Sequence, residues 1–242
     1  ALVILLFVGA RQGLGFVATR RPGVQIARGL MLPLASLFYV TATRYMPLAE
    51  TVAITFIAPF IVTLLAVWIL KEKVRTSQWV VISLSFAGVL LIIRPGGALF
   101  DWPALLPMGT ALMMAVYQVL TRQIAGQESP YTSIFYPGLI GALLFSLLLP
   151  YTWTEPLSWW HVVLMILNGA IAAAAHLVLI KAFDHAPASR LAPFSYMQLV
   201  WAMLLAWIVF GDFPDAWALC GMGVVVGAGI YLATRSKPAA QK

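Results

Sequence analysis

The feature that most constrains this chain is a succession of apolar runs, each about 17 to 25 residues long, with very few charges inside them. About 30 Å of hydrocarbon takes roughly 20 helical residues to cross, so runs of this length are read as membrane-spanning helices. Stretches such as 53–70 are continuously apolar and do not alternate. That excludes a transmembrane β-barrel, whose strands alternate with period two. Composition agrees: 62% of the 242 residues are hydrophobic and 10% charged. A water-soluble domain is about 25% charged and buries only about 70–75% of its unfolded surface at this size. A soluble enzyme and a disordered chain are therefore excluded.

The formal charge of +7 comes in short groups between apolar runs. Such groups face anionic lipid headgroups and do not form a basic stripe for nucleic acid. The single Cys220 leaves neither a disulfide framework nor a thiolate metal cluster. The opening ALVILLFVGA has no small-residue cleavage signature after it, so no signal peptide is expected.

One partial span ends near Ala10, and complete spans are predicted at 29–45, 47–70, 77–93, 102–121, 131–151, 158–180, 186–210 and 214–233. Residues 17–28 read as a loop and 235–242 as a polar tail. Alternating sides sort the 15 Lys and Arg strongly. One side receives Arg11, Arg20, Arg21, Arg28, Lys71, Lys73, Arg75, Arg122, Lys181, Arg190, Arg235, Lys237 and Lys242. The other receives only Arg44 and Arg94. The inside-positive rule then places the C-terminus of this multi-pass protein in the cytoplasm. One further span ahead of the partial one would bring the total to ten.

An internal repeat fits that total. Residues 42–70 can be laid on residues 182–210, so that Ala42 meets Ala182, Pro47 meets Pro187, Ala66 meets Ala206 and Glu72 meets Asp212. The offset covers five spans, an odd number, so the copies would be inserted in opposite directions. Inverted repeats are a frequent construction of secondary transporters. The expected units are 1–97 and 98–234, followed by the cytoplasmic tail.

The stretch PLAETVAITFIAPFIVTLLAVWILKEKVRTSQWVVISLSFAGVLLII resembles the EamA domain of the drug/metabolite transporter superfamily. It carries a mid-helix Pro59, a closing acidic Glu72, Trp79 opening the next helix and the pair Ala87-Gly88. Arg28-Gly29 and the fragment RYMPLAE also fit. The second copy keeps Pro187, Ala188, Ser189, Asp212 and Ala228-Gly229, but has Leu199 in place of Pro59, leaving Pro193 to kink it. The resemblance implies an all-α, ten-helix fold of two inverted five-helix repeats, with the first helix and part of the second absent from this chain. Helices one, three, four, six, eight and nine of the full count would surround a central cavity. The implied function is secondary export of small organic metabolites, amino acids or similar amphipathic compounds, by alternating access. A non-transporting membrane scaffold or assembly subunit is the alternative.

Mid-span polar and aromatic residues are the candidate substrate contacts. Thr51 and Thr55 stack on one helix face with Pro59 a turn further. They read either as a substrate-facing patch at a hinge or as hydroxyls bonded back to their own helix. Ser195, Tyr196 and Gln198 follow Pro193, and Gln198 is costly to bury unpaired. Asn168 and His176 lie beside a strip of small residues, and His176 could carry a proton or hold a structural hydrogen bond. Tyr39, Gln118 and Trp201 complete the set. No acidic residue lies mid-span, and no nucleotide-binding glycine loop is present. His161, His176 and His185 match no HExxH or Ser–His spacing, so catalysis is not expected. No cofactor or metal is expected. The expected partners are the lipid bilayer and a small metabolite, not nucleic acid, with the protein a monomer or a homodimer.

Overall fold

The computed structural model describes residues 14–46, 48–94, 102–152, 155, 158–211 and 213–235. Among them a short 3₁₀ turn, Leu14–Val17, precedes α1 (Pro22–Ala42), α2 (Leu48–Thr55), α3 (Ala58–Ile69), α4 (Thr76–Ile93), α5 (Leu105–Gln123) and α6 (Pro130–Thr152). There follow α7 (Trp159–His185), α8 (Ala188–Leu191), a 3₁₀ segment Ala192–Tyr196, α9 (Met197–Phe210) and α10 (Ala216–Arg235). Seven stretches of the described residues are long and apolar enough to cross a membrane, and the shorter apolar Ala216–Tyr231 adds an eighth candidate. The protein is a polytopic all-α membrane protein. The partial span ending near Ala10, and the roles given to Pro47, Asp212 and the tail beyond Arg235, fall outside the described residues.

The first complete span corrects the expectation. It begins at Pro22 rather than at residue 29, so residues 22–28 are helix and not loop. Arg28, assigned above to the headgroup region, is fully buried. Its guanidinium is held by neutral acceptors: Nε donates to Thr121 Oγ1 (3.0 Å), Nη1 to Gln25 Oε1 (2.6 Å) and Nη2 to the Ser133 carbonyl (3.0 Å). The neighbouring Gly29 lets α1 approach α6 closely, since a Cβ there would lie 2.3 Å from Ile140 Cδ1. Proline at the start of a helix leaves no hydrogen bond unmade, because that N–H has no intrahelical partner anyway. Likewise α7 continues to His185, five residues past its predicted end at 180.

Two spans are interrupted, each near a proline. The first breaks between α2 and α3, where Ile57 N donates to Ile54 O and Phe60 N to Ile57 O (both 3.0 Å) in place of the regular α-helical ladder. Pro59 has no N–H to continue that ladder. The other interruption is the 3₁₀ segment containing Pro193. The two breaks meet, with the Phe56 and Tyr196 rings stacked at 5.9 Å and 28°. Both rings are buried in a cluster with Val89, Val200, Met222 and Val225.

Around these breaks α1 packs on α5 and α6, α3 on α5 and α8, and α4 on α10. The α4–α10 pair is antiparallel: Val81 shares a buried cluster with Ala228, Gly88 faces Gly221 and Val225, and Arg94 pairs with Asp215. The Ala218 N–H and the Arg94 guanidinium hold the Asp215 carboxyl below its ordinary range. The helices touch through bare backbone at their crossing. A Cβ on Gly221 would lie 2.6 Å from both the Gly88 carbonyl oxygen and Ile92 Cγ1. Gly221→Val should therefore separate α4 from α10 and cost about 1–3 kcal/mol, as overpacking of a tight interior does. The check is thermal unfolding of the purified protein in detergent. An unchanged midpoint would contradict the close approach.

Candidate functional site

A cavity of about 670 Å³ lies between α1, the α2–α3 junction, α5, α7 and the 3₁₀ segment leading into α9. The interrupted helices position it. Val52, Thr55, Phe56, Ala58 and Pro59 face it from one break, and Phe194, Ser195, Gln198, Leu199 and Ala202 from the other. Tyr39 on α1, Met114 and Gln118 on α5, and Ala172, Ala175, His176 and Leu179 on α7 complete the wall. Irregular backbone at membrane depth is tolerated where it is buried in protein or lines a wet cavity, and both breaks adjoin this space.

Of the residues singled out from the sequence, the structure brings Tyr39, Thr55, Pro59, Gln118, His176, Ser195 and Gln198 onto one wall. The Thr55 hydroxyl donates back to the Thr51 carbonyl (2.8 Å). Thr51 is fully buried and is not part of the wall. Tyr196 is also buried away from it, and its hydroxyl has no hydrogen-bond partner. Asn168 and Trp201 lie on exposed faces of α7 and α9. The reason is helical phase: Tyr196 and Trp201 point away from the face that carries Ser195 and Gln198.

Among the described residues the wall carries hydroxyls, two amides, rings and aliphatic side chains, with no carboxylate, lysine or arginine. His176 is its imidazole. The ring stands edge-on to Tyr117 at 5.6 Å and 87°, and its buried Nδ1 has no hydrogen-bond partner. A smaller pocket of about 170 Å³, lined partly by Tyr117 and Gly138, shares Ala172 and His176 with the first. Among the described residues no group of three or more His, Cys, Asp or Glu could hold a metal ion.

One end of the cavity is closed. Beyond Pro59, Gln118 and Leu179, the space fills with the buried cluster Val62, Ala66, Ala115, Val119, Phe183, Ala188 and Ala192. A polar latch built on Glu72 caps this plug, and its connections were not legible in the sequence. Oε1 accepts the Ala188 N–H (3.0 Å), while Oε2 accepts the Ser189 N–H (3.0 Å) and hydroxyl (2.6 Å). Arg122 Nε lies 3.6 Å from Oε1, and its Nη1 donates to the Phe183 carbonyl. Glu72 thus ties the end of α3 to the start of α8 and to Arg122 on α5, and Arg122 extends the tie to α7. The turn that aims it is unusual: Lys71 takes φ 56°, in the left-handed region, and Glu72 N bonds Ala66 O (3.1 Å). Helices that end this way usually have glycine at that position.

Comparison with known proteins bears on the same architecture. The model of the EamA-like transporter family matches residues 1–94 and 101–235. The S-adenosylmethionine uptake transporter of Rickettsia bellii (strain RML369-C) is 26% identical over 242 residues, covering 100% of this chain and 82% of that protein. The riboflavin transporter of Vibrio cholerae is 28% identical over 231 residues, covering 93% of this chain and 76% of its own length. A solved crystal structure superimposes with a TM-score of 0.80 at 18% identity, covering 96% of this chain and 83% of that one, which shows the same fold.

The latch makes a direct prediction. With Cys220 replaced by Ser and a cysteine placed at the buried Ala192, maleimide labelling from the Glu72 side should be slow. Adding Glu72→Gln removes a charge-assisted network and should speed labelling about tenfold. Equal rates would mean that the carboxylate does not hold this end shut.

Proposed function

The chain belongs to the EamA-like transporter family, and from that premise we propose that it is a secondary carrier of small organic metabolites. Its substrates would be amino acids or ring-bearing amphipathic compounds, moved through the cavity by alternating access. The observation that carries this reading is the meeting of two interrupted helices at a cavity plugged at one end. A carrier needs a site that backbone breaks can expose first to one side and then to the other.

Internal correspondence supports two inverted repeats, 1–97 and 98–234, within a ten-helix plan. At the repeat offset of the sequence, Tyr39 corresponds to Leu179, Thr55 to Ser195, Ala58 to Gln198 and Pro59 to Leu199. Both members of each pair line the cavity. Phe56 and Tyr196, which stack on one another, correspond in the same way. Matching residues gather around one centre when two copies face each other in opposite directions.

The basic residues near the latch support a cytoplasmic location for the Glu72 end and for the tail 235–242 in a bacterial inner membrane. The conformation described here is then closed inward. Release of the latch would open the cavity to the cytoplasm, and a metabolite made in the cell would leave down its gradient. In this scheme Tyr39, Gln118, His176, Ser195 and Gln198 contact substrate, while Thr55 and Pro59 shape one junction. Thr51 and Tyr196 support the wall from behind.

The test is flux in proteoliposomes of the intact protein, screened with labelled amino acids, riboflavin and S-adenosylmethionine. For a transported probe, Gln198→Leu should lower flux about tenfold, the loss of one well-made hydrogen bond, with normal membrane insertion. Asn168→Leu and Trp201→Leu, on exposed faces, should leave flux within about twofold. Normal flux in the Gln198 variant would remove that amide from the site.

A further inference from the structure

We infer that Arg28 biases the cavity toward positive potential and thereby selects neutral or anionic ring-bearing substrates over cationic ones. This deepens the proposed function and rests on it. Arg28 is fully buried in α1, and among the described residues its hydrogen bonds go to neutral groups, including the Thr121 hydroxyl, the Gln25 amide and the Ser133 carbonyl. Its Cζ lies 5.2 Å from the centroid of the Tyr117 ring. Tyr117 in turn stands edge-on to His176, 5.6 Å away on the cavity wall.

Two of the three hydrogen bonds join α1 to α5 and α6, the third stays within α1, and neutral side chains can supply bonds of that kind. Bridging therefore does not account for the charge, which is costly to bury without a counter-ion. Among the described residues no carboxylate lies within ion-pair distance of Arg28. Glu72 is occupied by the latch and Arg122. Glu50, the other charged residue that is buried, sits at the start of α2, at the opposite end of the bundle from the first turns of α1. Among the described residues the cavity wall contributes no carboxylate either. Among the described residues the guanidinium thus has no carboxylate partner, and it lies one aromatic ring behind the wall, shielded from screening by water and salt.

The two ring contacts place it within roughly 11 Å of the His176 ring. At an effective dielectric of about 20, a unit charge at such a distance changes an equilibrium constant roughly tenfold. A substrate bearing a fixed cation is disfavoured by about that factor relative to its neutral counterpart, and one bearing a carboxylate or phosphate is favoured.

S-adenosylmethionine and S-adenosylhomocysteine make a suitable probe pair. They share the adenosine and amino-acid groups and differ by the methyl that turns a neutral thioether into a sulfonium cation. Binding of each is measured calorimetrically to the intact protein in lipid nanodiscs. The expected result is roughly tenfold tighter binding of the thioether, a ratio near one in Arg28→Gln, and a retained ratio in Arg28→Lys, which keeps the charge but loses the planar fork. A wild-type ratio at or below one overturns the inference whether or not the variants fold, and so does an unchanged ratio in Arg28→Gln. Absence of binding by either probe overturns the ring-binding reading of the cavity together with this inference. Binding of both without discrimination overturns this inference alone.

Discussion

Inside hydrocarbon no water completes an unmade backbone hydrogen bond, and the rest of this structure depends on how two broken helices meet that constraint. A break exposed to lipid would leave polar groups stranded. The α2–α3 junction and the 3₁₀ segment before α9 avoid this by facing one another, with Phe56 stacked on Tyr196 between them. The space left beside that contact is the cavity, with Thr55, Ser195 and Gln198 supplied from next to the breaks and Tyr39, Gln118 and His176 from the intact helices around them.

Closure is unequal along the bundle. At one end Glu72 accepts three hydrogen bonds from the start of α8, beneath Arg122 and above an apolar plug. The Arg94–Asp215 pair, by contrast, is about half exposed and ties α4 to α10 away from the cavity. Exposed ion pairs contribute little, so the α4–α10 unit is held chiefly by the backbone contact at Gly88 and Gly221. In the proposed mechanism α4 and α10 would form the frame while the latch end moves.

The spans and the prolines at their breaks were legible in the sequence, because length and apolarity decide the first and a missing N–H the second. Arg28 was not. A charge at the edge of an apolar run reads as interfacial, and only the fold brings Thr121 and the Ser133 carbonyl to it. The wall residues Gln118, His176 and Gln198 stood out because amides and imidazoles are rare at that depth. Asn168 stood out for the same reason and Trp201 as a deep aromatic ring, yet both face outward, since neither polarity nor ring size reports which way a helix is turned. Glu72 was visible as an acidic helix terminus. Its partners on α8 lie more than a hundred residues away, and the left-handed Lys71 that aims it carries no sequence signal.

The central claim is that the cavity is reached from alternate ends, with the latch end opening as the other closes. Paired spin labels measure this directly in the intact protein, one pair at Lys73 and His185 beside the latch, the other at Arg44 and Phe213 at the far end. All four residues are exposed. On adding a transported substrate, the account predicts that the Lys73–His185 distance lengthens while the Arg44–Phe213 distance shortens. Fixed distances, or both pairs lengthening together, would contradict it.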